Sequence, residues 1–169
     1  MKKKILVKAP LLSRSGYGEQ SRFALRALRT REDLFDIYAL NLNWGGTGQI
    51  AENSEESQYI KNSIEKLSAY ANSAGGQPTF DISLQITVPN EFEKIAPVNI
   101  GYTAGIETTR VAGEWIQKSN AACDKLIVIS NHSKKVFEQT KYDIQTPDGT
   151  QMKDWGLQVP VEVVNYPVR

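Results

Sequence analysis

Cysteine and histidine are nearly absent from this chain: Cys123 and His132 are single copies in 169 residues. One cysteine closes no internal disulfide, and one histidine without a Cys/His/Asp cluster at ligand spacing makes no metal site. An excess of either charge is missing too. Twenty Lys+Arg stand against 19 Asp+Glu, a net charge of +1, which argues against a strongly basic nucleic-acid binder and against an acidic disordered tail. No window approaches the roughly 18 apolar residues of a transmembrane helix. The Lys2-Lys3-Lys4 start followed by Ile5-Leu6-Val7 has the look of a leader, but Lys8 and Pro10 interrupt the apolar run too early. The expectation is a cytoplasmic protein with no transmembrane segment and no nucleic acid partner. Nor is there an internal repeat, a low-complexity tract, a Gly-x-Ser-x-Gly elbow or a cysteine paired with the histidine, so nucleophilic hydrolysis lacks support.

What is present is the composition of one globular domain, 40% hydrophobic and 23% charged. A chain of this length buries roughly 70% of its unfolded surface and needs no staple. Short apolar runs alternate with amphipathic ones. Lys4 to Ala9 reads as a buried parallel strand ending at Pro10, and Glu19 to Thr30 as a helix behind the loop Leu11 to Gly18. Asp36 to Leu42 reads as a strand, Ser54 to the Gly75-Gly76 stop as a helix, and Phe80 to Thr87 and Val98 to Thr103 as strands. A short helix around Trp115, a strand over Asp124 to Ser130 and a helix capped at Ser130-Asn131 follow. Residues 143–158 are polar and read as an irregular exposed insertion before a last strand, Val159 to Val164. This alternation predicts an α/β protein of one domain, a Rossmann-like doubly wound parallel sheet in three layers (α/β/α), with ligands at the carboxyl ends of the strands.

Three of those ends carry chemistry. Ser15-Gly16-Tyr17-Gly18-Glu19-Gln20-Ser21 is a Gly-x-Gly-x-x-Ser run between strand and helix, near the dinucleotide fingerprint but not on it. Its glycines allow backbone N–H groups to approach a phosphate, but the next strand ends in Asn41-Leu42-Asn43-Trp44, without the acidic residue that holds a nicotinamide ribose. A tight turn with no ligand is the alternative. Past the fourth strand, Tyr102-Thr103 to Glu107 and Arg110 gather hydroxyls, a carboxylate and a guanidinium. Glu107 could accept a sugar hydroxyl and Arg110 meet a phosphate, or the two could form an ion pair that fixes the loop. Asn131 and His132 open a helix at the same edge, where a polar residue near a cap is an equally good account of His132.

Three segments together resemble the N-terminal domain of group 1 retaining GT-B glycosyltransferases: Ser15 to Gly18, Gly101-Tyr102-Thr103 to Glu107 leading into Trp115-Ile116, and Asp124 to Lys134. Val161 to Arg169 is similar to the strand and turn that precede the crossover into that family's second domain. The likeness spans residues 1–169. It implies an acceptor-side domain of a hexosyl-transferring enzyme, inactive without a C-terminal donor-binding domain that is absent from this sequence. The complete enzyme would take a nucleotide-diphosphate sugar as donor and a hydroxyl acceptor (glycan, lipid or small molecule), with no metal and no cofactor bound by this chain. Ser15, Gly16, Tyr17 and Gly18 would approach the donor diphosphate or the acceptor. Trp44, Tyr102, Arg110, Asn131 and His132 would line the acceptor cleft. The family's histidine after the fourth strand is missing, and Thr103 and Glu107 are the nearest catalytic candidates in its place. The alternative is a stand-alone nucleotide- or carbohydrate-binding module without catalysis.

Overall fold

A computed structural model describes residues 1–43, 48–50, 53–104 and 109–165. Six parallel strands form one sheet in the order β2-β1-β3-β4-β5-β8: β1 (Lys3–Ala9), β2 (Phe35–Asn41), β3 (Ile82–Ile86), β4 (Val98–Tyr102), β5 (Lys125–Val128) and β8 (Val161–Val163). Helices α1 (Gly16–Arg29), α2 (Glu55–Ser73), α3 (Gly113–Ala122) and α4 (Asn131–Gln139) flank it. This is the single-domain, doubly wound, Rossmann-like α/β fold that the alternation predicts. The chain steps from β1 to β2 in one direction and to β3 in the other, so the strand order reverses between β1 and β3. The crevice beyond their carboxyl ends is where such sheets bind ligands.

Strand alternation and register sort the side chains into two faces. Ile5, Val7 and Ala9 of β1 share one face with Leu84 and Ile86 of β3, under Leu25 of α1 and Ile60 of α2. Each of these two helix anchors is buried to 1% exposure or less, worth about 1.5–3 kcal/mol per side chain. On the opposite face Leu126, Val128 and Val161 pack with Ile116 of α3 and with Val136 and Phe137 of α4. Ser54 caps α2 in a reciprocal capping box with Ser57, and Ser130 caps α4 through the Ser133 N–H.

The first face thins out toward β4, β5 and β8. Ile100, Ile127 and Ile129 lie on or just past central strands yet stay half-buried, and Val98 and Val164 are 43% and 47% exposed. A hollow of about 350 Å³ opens there between Phe23, Ala24 and Ala27 of α1 and Tyr102, Val164 and Asn165. Parallel sheets are normally covered on both sides, so the lack of a covering helix among the described residues here departs from the pattern.

The other face of β3 solves a different problem. Ser83, Gln85 and Thr87 alternate with Ile82, Leu84 and Ile86, and these polar side chains are fully buried. A loop with one 3-10 turn, Pro89–Glu91, covers them in place of an α-helix. Gln85 donates to the Glu93 carbonyl and accepts the Glu93 N–H, Asn99 Oδ1 takes the N–H groups of Ile95 and Ala96, and Lys8 reaches the Glu91 carbonyl at 2.9 Å and the Glu93 carboxylate at 3.1 Å. Backbone laid on a sheet needs partners for its orphan groups, and the polar alternation supplies them.

Two expectations are corrected. Residues 143–158 are not irregular: β6 (Lys141–Gln145) and β7 (Gln151–Gly156) pair as an antiparallel hairpin. Tyr142 and Ile144 alternate inward, and Pro147-Asp148-Gly149 makes the turn, with Gly149 at φ +90° and the Asp148 carboxylate accepting the Thr150 N–H. The first helix also starts at Gly16 and not at Glu19, because Ser15 caps it by accepting the Gly18 N–H at 3.2 Å.

Candidate functional site

That earlier start changes what the two glycines do. Gly16 is the first helical residue and is exposed, with nothing within 4 Å of where a Cβ would stand. Gly18 is buried, and a Cβ on it would lie 2.0 Å from the Ser13 carbonyl oxygen. The second glycine therefore lets the loop after β1 press onto α1, and only the first leaves backbone open to a ligand. The loop itself is held firmly. Ser13 Oγ donates to Ser15 Oγ at 2.8 Å, Arg22 grips the carbonyls of Leu11 and Ser13, and an isolated antiparallel bridge joins Ser13 to Gln49.

From the first turn of α1, Tyr17 reaches across the switch point. Its hydroxyl lies 2.9 Å from Thr103 Oγ1, just past β4, and accepts the Ala104 N–H at 3.1 Å. The ring is half-buried. Burial pushes the phenol pKa up and the Glu91 charge adds to this, while the bonds to Thr103 and Ala104 pull the other way. Thr103 has no exposed surface, and its hydroxyl is committed to Tyr17.

Thr87 sits beside Thr103 on the neighbouring strand end, its N–H donating to the Tyr102 carbonyl at 3.3 Å. Its hydroxyl donates to the Glu91 carboxylate, and Lys8 holds the Glu91 backbone from below. Two strand ends about 4.8 Å apart thus carry a capped pair of hydroxyls, one under a phenol and one under a carboxylate. Lys8, Thr87 and Glu91 were not among the sequence candidates. The signal that could have found them is the polar alternation of β3 and a lysine inside an apolar run.

The remaining candidates fall into three groups. Tyr102 is buried beneath the hollow beside α1, its hydroxyl donating to the Val164 carbonyl at 3.2 Å. Asn131 and His132 are exposed on the first turn of α4. Arg110 lies elsewhere: it donates to the Lys141 carbonyl at 2.7 Å and covers the Tyr142 ring at 4.0 Å. That is beyond the far end of α4 from His132, a separation of about 13 Å along nine helical residues. Trp44 and Glu107 lie outside the described residues. Among the described residues no group of three His, Cys, Asp or Glu is placed to hold a metal, and no helix is long and apolar enough to cross a membrane. Cys123 is buried against Gly101, and burial first, then the Asp124 charge, pushes its thiol up to about 12.

No protein-family model, curated protein or solved structure matches the chain. The chemistry must therefore be argued from the edge itself. An exposed helix start favours an approaching anion, and a half-buried carboxylate one strand away favours a hydroxyl donor.

Proposed function

We propose that this chain is the acceptor-side half of a glycosyltransferase that moves a sugar from a nucleotide-diphosphate donor to a hydroxyl acceptor, the donor being held by a second α/β domain. The observation that carries the reading is the arrangement at the β1/β3 switch point. There the capped start of α1, with exposed Gly16 at its first position, stands next to the Thr87–Glu91 and Thr103–Tyr17 pairs. The helix start suits a diphosphate entering from outside the domain, and the carboxylate and phenol suit a polyhydroxyl acceptor. In this reading the chain works by positioning the acceptor and by stabilising developing charge on the leaving diphosphate. The bare face over β4, β5 and β8 adds support, since a larger assembly would cover it.

One observation favours the alternative, a self-contained nucleotide- or carbohydrate-binding module. Tyr102 is buried beneath the hollow, with its hydroxyl bonded to the chain's own Val164 carbonyl, as a module that packs its own aromatic residues would have it. Calorimetric titration of the 169-residue chain with nucleoside diphosphates and nucleotide sugars, alongside a donor-hydrolysis assay, separates the two. The acceptor half shows no nucleotide binding tighter than millimolar and no hydrolysis. Micromolar nucleotide binding by this chain alone overturns the proposal in favour of the module.

A further inference from the structure

We infer that Glu91 is a ligand-binding carboxylate which accepts a hydroxyl of a neutral pyranoside packed against Tyr17; assigning that pyranoside to the acceptor rests on the reading above, but the binding site does not. The loop that carries Glu91 is already secured without its carboxylate. Glu91 N–H donates to the Val88 carbonyl at 3.0 Å, Phe92 N–H donates to the Pro89 carbonyl and its ring is buried at 2%, and Gln85 clamps both backbone groups of Glu93. Nor does buried Lys8 require it as a counter-ion, since the ammonium pairs with the Glu93 carboxylate and touches only the backbone carbonyl of Glu91. Among the described residues no cation lies within ion-pair distance of the Glu91 carboxylate.

The hydroxyl of fully buried Thr87 serves one oxygen of the Glu91 carboxylate, and the other, bonded by no donor among the described residues and not buried, is left open to water or to a ligand hydroxyl. Its partner Thr87 lies at the end of β3 beside Thr103 at the end of the neighbouring β4, where Thr103 meets the Tyr17 hydroxyl, so the carboxylate and the phenol are held on adjacent strand ends, close enough for the Glu91 charge to act on Tyr17.

The surroundings select the ligand chemistry. An anion is repelled by the carboxylate itself. A cation meets the Lys8 ammonium 2.9 Å from the same residue's carbonyl. A neutral hydroxyl suits both, and the half-buried Tyr17 ring offers an apolar wall for the C–H face of a sugar. Carboxylates accept such hydrogen bonds with about twice the strength of neutral acceptors.

The test is an amide-shift titration of the whole chain with methyl α-glucopyranoside, methyl α-mannopyranoside and methyl α-galactopyranoside, each separately. At least one should move the backbone amides of Thr87, Glu91 and Tyr17 with a millimolar midpoint. Glu91→Gln keeps an acceptor for the Thr87 hydroxyl and should weaken that binding about tenfold or more. Glu93→Gln, which removes a carboxylate from the same loop, should leave the midpoint within about twofold. Because the unsubstituted chain is mapped first, the site is tested even if a variant folds poorly. Absence of shifts at these amides with all three glycosides, or an unchanged midpoint in Glu91→Gln, overturns the assignment. Micromolar nucleotide binding in the separate titration overturns the functional reading and leaves the Glu91 result standing.

Discussion

Replacing Tyr17 by Phe removes one oxygen from the switch point and leaves the ring in place. The hydroxyl bonds Thr103 Oγ1 at 2.9 Å and the Ala104 N–H at 3.1 Å. Thr103 is wholly buried, so no water replaces what it loses. One hydrogen bond nets about 0.5–1.5 kcal/mol, and a buried group left without a partner costs about 1–3 kcal/mol. The change should therefore destabilise the chain by about 2–3 kcal/mol. For a domain of this size that is a fall in melting temperature of about 4–12 °C. Tyr102→Phe is the internal control. Its hydroxyl donates to the carbonyl of Val164, a residue 47% exposed, and the loss of that hydrogen bond nets about 0.5–1.5 kcal/mol. Urea unfolding of both variants, with unchanged slope, reads the difference directly. Equal losses, or less than about 0.5 kcal/mol from Tyr17→Phe, would refute the claim that this phenol ties α1 to the end of β4.

The glycines of the first turn should respond in opposite ways. Gly18→Ala forces a Cβ to 2.0 Å from the Ser13 carbonyl and should cost about 3 kcal/mol or more by displacing the loop. Gly16→Ala, with empty space around it, should be neutral or stabilise by up to about 1 kcal/mol; thermal unfolding of the two separates them. The Arg26 guanidinium holds the Glu56 carboxyl below the ordinary glutamate range and joins α1 to α2. A lowered folded-state pKa contributes stability above the unfolded value and loses it as pH falls through the acid range. Glu56→Gln should therefore flatten the acid limb of the stability curve below about pH 5, by at most about 1 kcal/mol for so exposed a pair, as acid titration of the melting temperature would reveal. The Cys123 thiol, raised by burial to about 12, should resist iodoacetamide at pH 8 in the folded chain and react once the chain is denatured. Fast alkylation of native protein would contradict its burial.

Much of the fold could be read from local pattern. The runs Ile5-Leu6-Val7 and Leu126-Ile127-Val128-Ile129 are apolar enough to be central strands, and Ser54 and Ser130 are strong caps. The start of α1 was harder, because glycines at Gly16 and Gly18 depress helix propensity while the Ser15 cap overrides them. The hairpin escaped because its inward residues, Tyr142, Ile144 and Trp155, are few and spaced among polar ones. The site was less legible. Glu91 and Thr87 are four residues apart, but only the sheet register and the reach of Tyr17 across 86 positions make them part of a ligand-facing edge. Arg110 shows the converse. In sequence it follows soon after Thr103 at the end of β4, yet its guanidinium finds the Lys141 carbonyl and the Tyr142 ring.

The most direct measurement is the complete amide-shift map of the chain, recorded once with a nucleotide sugar such as UDP-glucose and once with the methyl glycosides. The account predicts glycoside-dependent shifts confined to the carboxyl edge of β1, β3 and β4, around Tyr17, Thr87, Glu91 and Thr103, and none at micromolar UDP-glucose. Nucleotide-dependent shifts at Ser15 to Gly18 in that concentration range, or glycoside shifts centred on the β6–β7 hairpin, would contradict it.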